Sequence, residues 1–283
     1  MDAAGSEQAF QALLPAAQQE VEDDPARVVQ LLTWITRCQG ARGDLASAKA
    51  SLIAAQTLLE ARAEDCSVNV RIAYLLEKGR LCVLEKTPSQ ARAMFVEAWT
   101  LAETAREDDF MVEVACMMAI IEPQKVQQDW IRKAIEIAER SKQDKARRRL
   151  GLLYSSLAWK HYDLRSYDKA LAGFQRALDD LMIHGTPREV FVVRWSIGKV
   201  LRAMGRAEEA LAVQQTLLAG TQKEGAPDGR LFEELAECLQ ALKRSAEAQV
   251  YFEQAYHVLS KEEWVADNQA GLLKRLKEMG KTK

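Results

Sequence analysis

The chain has little of what catalytic and metal sites most often use. Only three histidines occur among 283 residues, His161, His184 and His257, far apart and with no companion at metal-ligand spacing. That argues against a metal centre or a histidine acid–base pair. The five cysteines, Cys38, Cys66, Cys82, Cys116 and Cys238, are odd in number and form no CxxC or Cys/His cluster. A disulfide framework and a structural zinc are thereby disfavoured, and the cysteines read as small buried apolar residues. Phosphate-cradling Gly-rich loops, HExxH, GxSxG and calcium loops are all missing. No catalytic residue, cofactor or metal is expected, and the chain reads as a non-enzymatic protein.

Long hydrophobic runs are lacking too. The longest purely apolar stretch, VACMMAII at 114–121, is too short to cross a bilayer. The start, MDAAGSEQAF, has neither the basic residues nor the apolar stretch of a secretory signal, so a cytoplasmic protein with no membrane partner is expected. An excess of one charge is also absent. With 39 Lys and Arg against 41 Asp and Glu, the chain has no electrostatic footprint for a phosphate backbone, which excludes nucleic acid as a general partner.

What is present is apolar residues at helical spacing almost throughout, with hardly any period-two alternation, so an all-α fold is predicted. Short breaks fall at 23–25, 40–44, 86–88, 122–123, 140–144, 165–166, 184–187, 204–206, 223–229, 243–245 and 260–261, each short enough to join antiparallel neighbours. Several carry helix-start chemistry. Thr186-Pro187-Arg188-Glu189 reads as a capping box with proline at the first helical position, Thr87-Pro88-Ser89-Gln90 as the same design, and Asp24-Pro25 and Ser260-Lys261-Glu262-Glu263 as related starts.

One spacing recurs: a small residue, Ala twelve later, a large apolar residue four further on, and a small one after three more. It is complete at Gly79, Ala91, Phe95, Ala98; at Ala158, Ala170, Phe174, Ala177; and at Ala236, Ala248, Phe252, Ala255. It departs in part at Thr36, Ala48, Leu52, Ala55; at Ala115, Gln127, Ile131, Ala134; and at Gly198, Ala210, Gln214, Leu217. The six small residues lie 43, 36, 43, 40 and 38 positions apart. Such a pattern suits two antiparallel helices in close contact, the first small residue letting the second backbone approach and the aromatic filling the seam to the next unit.

At these positions, and at Tyr154, Leu157-Ala158 and Ile197-Gly198, the chain resembles the tetratricopeptide repeat family, in a variant with units of about 40 residues where the family's are usually about 34. The resemblance implies a right-handed α-solenoid of about six antiparallel helix pairs. Residues 25–259 form the solenoid, residues 1–24 an N-terminal capping segment, and residues 260–283 a C-terminal capping helix and short tail. The last helix, Lys261–Met279, is expected to place Trp264, Leu272, Leu276 and Met279 near one side.

In the resembled family the first helix of each pair lines a groove, with positions three before, one after and four after the small residue pointing into it. Carried over, this implies a partner-binding row of Arg37, Arg80, Trp159, Tyr162, Trp195, Lys199 and Arg202, ending in acidic Glu233 and Glu237 with Gln240. Such a row suits a protein or peptide with acidic and apolar anchors. A second reading stays open for Trp159 and Trp195, which can equally pack between neighbouring first helices. The family's chaperone adaptors grip a peptide carboxylate with paired inner-face asparagines; this chain has only Asn69 and Asn268, neither in the row. Arg147, Arg148 and Arg149 are expected in the first turns of a helix, either screened by Asp144 and Glu139 or held for an acidic partner. Glu208-Glu209 and Glu233-Glu234 read as solvated first-turn residues. The function implied is an interaction scaffold. A peptide- or ligand-sensing regulator whose superhelix changes curvature is the alternative, and an enzyme with an unrecognised site between repeats is the remote one.

Overall fold

The computed structural model describes residues 2–221 and 228–281; most of the sequence break at 223–229 lies outside them. Sixteen helices follow in order: α1 Ala3–Gln19, α2 Pro25–Ala41, α3 Leu45–Ala61, α4 Val68–Leu84, α5 Pro88–Ala105, α6 Asp108–Ile121, α7 Gln124–Arg140, α8 Asp144–Arg147, α9 Leu150–Asp163, α10 Tyr167–His184, α11 Pro187–Ala203, α12 Ala207–Thr221, α13 Gly229–Ala241, α14 Ser245–Leu259, α15 Glu263–Asn268 and α16 Ala270–Met279. No strand occurs among the described residues.

The chain divides into two compact units, Met1–Arg149 and Leu150–Lys283. In the first, α2/α3, α4/α5 and α6/α7 pack as consecutive pairs with α1 against α2. In the second, α9/α10, α11/α12 and α13/α14 do so, with α16 against α14. These are six consecutive helix pairs of an all-α repeat fold, three in each unit, and each is one occurrence of the sequence repeat.

The repeat residues form the core, in a different way from the one their spacing suggests. All are buried except the half-buried Gln127 of the third pair. At the two repeats whose small residue is glycine, the space above it is filled by the large residue sixteen positions on, within the same pair. A Cβ added to Gly79 would fall inside the Phe95 ring, and one added to Gly198 would collide with the Gln214 side chain. The aromatic therefore seats on its own pair, because one helix turn back across the hairpin brings it opposite the small residue.

The turns inside five pairs share a second regularity. Gly43, Lys86, Arg165, Gly205 and Lys243 all have positive φ, between 55° and 81°, and each lies seven residues after its small residue. The next amide bonds back five residues, as in Thr87 N to Cys82 O at 2.9 Å, Arg206 N to Leu201 O at 2.9 Å and Arg244 N to Leu239 O at 2.9 Å. This is a Schellman stop repeated in register. The α6/α7 pair lacks it, since Glu122 is extended and Pro123 already stands at the N-cap of the next helix. A side chain at positive φ is strained, so Lys243→Gly should raise stability by about 0.5–1 kcal/mol and Gly205→Ala lower it by a similar amount. Urea midpoints of the two variants check this.

The caps are met unevenly. Thr186 and Glu189 form the full capping box, and Asp24 accepts from Arg27 N at 3.0 Å. Thr87 caps nothing with its side chain: its hydroxyl donates to Cys82 O at 3.0 Å, drawn back into the Schellman turn. Ser260 ends α14 and starts no helix. Among the breaks that escaped the sequence reading are 62–67 and 106–107, turns made without glycine or proline. The C-terminal helix is interrupted at Gln269, and Trp264 is 62% exposed while Val265 and Leu276 are buried. Cys82 and Cys116 are only half-buried; Cys38, Cys66 and Cys238 are buried as expected.

Candidate functional site

In the Met1–Arg149 unit, the first helices of three successive pairs meet in a charged hub. Arg37 from α2 donates through Nε to Glu77 of α4 at 2.8 Å and through Nη2 to Glu113 of α6 at 2.9 Å. Arg80 of α4 bonds both Glu77 and Glu113. Arg149, just after α8, donates to Asp109 at 2.8 Å and to Glu113 at 3.1 Å. Glu77 is 2% exposed and Glu113 8%. Burial pushes the Glu113 carboxyl up, but Arg80, Arg37 and Arg149 together outweigh it and hold it below the ordinary carboxylate range. Burial likewise opposes the charges of Arg37 and Arg149, and their carboxylates overcome it.

Of the expected arginine triplet, only Arg149 joins this hub. Arg147 ends the short α8, and Arg148 follows it in solvent, so the three do not crowd the start of a helix. Two cavities flank the hub. One of about 270 Å³ is lined by Arg37 and Arg80 and by apolar Leu81, Leu84, Met117 and Ile120. The other, about 570 Å³, is lined by residues of α2, α4, α6 and α8 together with Glu107, Gln143 and Arg149.

In the Leu150–Lys283 unit the expected row is contiguous. Trp159 of α9 lies edge-on to Tyr162 at 5.4 Å and to Phe174 at 5.1 Å, and 6.2 Å from Trp195 of α11. The Trp195 indole N–H donates to Arg230 O at 3.2 Å, and Lys199 Nζ sits 5.0 Å above the same ring. Arg202 clasps Glu234 of α13 through two nitrogens at 2.5 and 3.2 Å. Both tryptophans are half-buried: their inner edges pack between first helices, and the remainder forms surface.

Glu234 corrects the sequence reading. It is 1% exposed and no solvated first-turn residue. Glu77, Glu113 and Glu234 were missed as a set, although a signal existed: each stands two positions before the small residue of its repeat. That places them beside arginines one or four positions after the small residue of the same or a neighbouring unit. Cys116 and Cys238 are unpromising nucleophiles, because burial pushes the Cys116 thiol up and that of Cys238 up to about 12. Among the described residues no group of three His, Cys, Asp or Glu is arranged for a metal, and no helix is long and apolar enough to cross a membrane.

No family model matches the chain, and no curated protein matches its sequence. Solved structures match its fold. A STAND-class signal transduction ATPase with a tetratricopeptide repeat sensor, from Pyrococcus horikoshii, aligns over 97% of this chain at TM-score 0.69 and 14% identity. This chain covers 43% of that protein, less than half its length. The apo form of RapI aligns over 98% of this chain and 85% of its own at TM-score 0.70 and 11% identity. The apo quorum sensor NprR of B. thuringiensis aligns over 98% and 82% at TM-score 0.64 and 15% identity. The chain therefore has a tetratricopeptide-repeat-like fold.

Proposed function

We propose that this chain is a non-enzymatic interaction module whose first-helix rows receive a protein or peptide segment with acidic and apolar anchors. The observation that carries the reading is the strip Trp159–Tyr162–Trp195–Lys199–Arg202, in which three neighbouring aromatic rings adjoin two cationic side chains. In the hydrogen bonds among the described residues Arg202 uses Nε and Nη2 on Glu234 and leaves Nη1 for another acceptor. Trp and Arg are the residue types that concentrate binding energy. In the other unit, Arg37 and Arg80 border the apolar cavity, which takes an apolar anchor beside a charged wall. In keeping with this reading, NprR also occurs in complex with its cognate peptide NprX.

Arg202→Ala is a poor test, because it strands buried Glu234. Trp195→Leu with Arg202→Lys keeps a cation on Glu234 while removing the ring and the fork. Peptides selected from a displayed acidic–apolar library should bind the double variant about 30-fold more weakly, with its helical circular dichroism retained. Undiminished binding to a folded double variant would remove the strip from the interface.

A further inference from the structure

The larger cavity of the Met1–Arg149 unit, about 570 Å³, holds charge that the hub leaves unbalanced. Its wall has four carboxylates, Glu107, Asp109, Glu113 and Asp144, against three cations, Arg37, Lys145 and Arg149. Arg37 is engaged by Glu77 and Glu113, and Arg149 by Asp109 and Glu113. Glu107 is not served in this way. It is half-buried and accepts only neutral amide N–H groups, from Asn69 Nδ2 at 3.0 Å and Gln143 Nε2 at 3.1 Å. Among the described residues it has no ion-pair partner, and a partly desolvated carboxylate without a counter-charge is a costly state.

The neighbouring asparagine points the same way. A carboxylate only accepts, so Glu107 fixes the Asn69 amide with its N–H toward itself. The Asn69 Oδ1 is then left buried with no donor, and its partial negative charge adds to that of Glu107. The same cavity has aromatic walls: Trp34, 40% exposed and braced by Phe10 at 5.1 Å, and half-buried Phe110. A carboxylate with no ion-pair partner beside aromatic faces, in a cavity of small-molecule size, is a site for an organic cation.

We propose that this cavity binds a primary ammonium carried next to an apolar or aromatic group, with the ammonium on Glu107 and the apolar part against Trp34 and Phe110. A lysine side chain, a peptide N-terminus and a free arylalkylamine all present this chemistry. The site is separate from the tryptophan–arginine strip and opposite in charge preference.

Calorimetry on the full chain tests it with three probes: phenethylammonium, Nα-acetyl-lysine amide and phenylalanine amide. Each is paired with its neutral counterpart: phenethyl alcohol, the Nε-acetylated lysine amide and N-acetyl-phenylalanine amide. At least one ammonium probe should bind about tenfold or more tightly than its counterpart, and the probe preferred identifies the source. Glu107→Gln, which can keep accepting through its amide oxygen, should weaken that probe by about tenfold. In unaltered protein the probe should shift the Trp34 indole N–H resonance and leave that of Trp195 in place, a readout that needs no variant to fold. Equal binding of the neutral compounds, undiminished binding to Glu107→Gln, or an unmoved Trp34 resonance overturns the proposal. Library peptides selected on the strip report on the other unit, so either reading can fail without the other.

Discussion

Glu113→Ala should be among the most damaging single substitutions in the Met1–Arg149 unit, lowering its stability by about 3 kcal/mol. Removing one partner of a buried ion pair typically costs about 3–5 kcal/mol because the other charge is stranded. The side chains of Arg37 and Arg149 are 47% and 37% exposed and can turn toward water, which places the loss at the lower end. Arg80, at 24%, has less freedom. The urea midpoint, followed by hydrogen exchange of α4 and α6 amides, measures the loss locally. Arg206→Ala, which breaks only an exposed pair with Glu209, should leave the midpoint in place. If the two variants behave alike, the hub holds nothing together.

The same carboxylate sets a pH dependence. The folded state holds the Glu113 carboxyl below its ordinary range, so the folded protein binds its proton less readily than the unfolded chain does. Its contribution is complete above the ordinary carboxylate range and disappears as pH falls through the lowered folded-state value. Exchange protection in α4 and α6 should therefore weaken as pH falls through the carboxylate range.

Phe95→Ala should cost about 3–5 kcal/mol, as for other fully buried aromatics, since Phe95 is 0% exposed and seated over Gly79. Gly79→Ala on its own should also destabilise, by about 1–3 kcal/mol of overpacking, although alanine is the better helix former by about 1 kcal/mol. Combined with Phe95→Ala, the added methyl enters vacated space and the penalty of Gly79→Ala should reverse sign. The coupling in this double-mutant cycle is the measurement. Additive effects would mean that the glycine and the ring do not share one space, and that the repeat has another cause.

Much of this molecule was legible in advance because its pairs are built from contacts within one hairpin. The small residue, the turn seven positions later, the alanine at twelve and the ring at sixteen all act over a distance that a single spacing pattern spans. The joins at 62–67 and 106–107 were not legible, since Arg106 reaches positive φ without the glycine that would have marked it. The aromatic strip was readable as a row, but not the division of each tryptophan between core and surface.

The amino-acid sequence by itself determined the helix pairs and their number, because helical period and small-to-large packing within a hairpin are local requirements. Only the tertiary structure decided the charges. Arg37 meets Glu77 and Glu113 from 40 and 76 residues away, and which carboxylates become buried partners depends on how successive first helices align. The same alignment gathers Glu107, Asn69 and Trp34 around one cavity, since desolvation and pairing are properties of neighbours in space and leave no period in the chain.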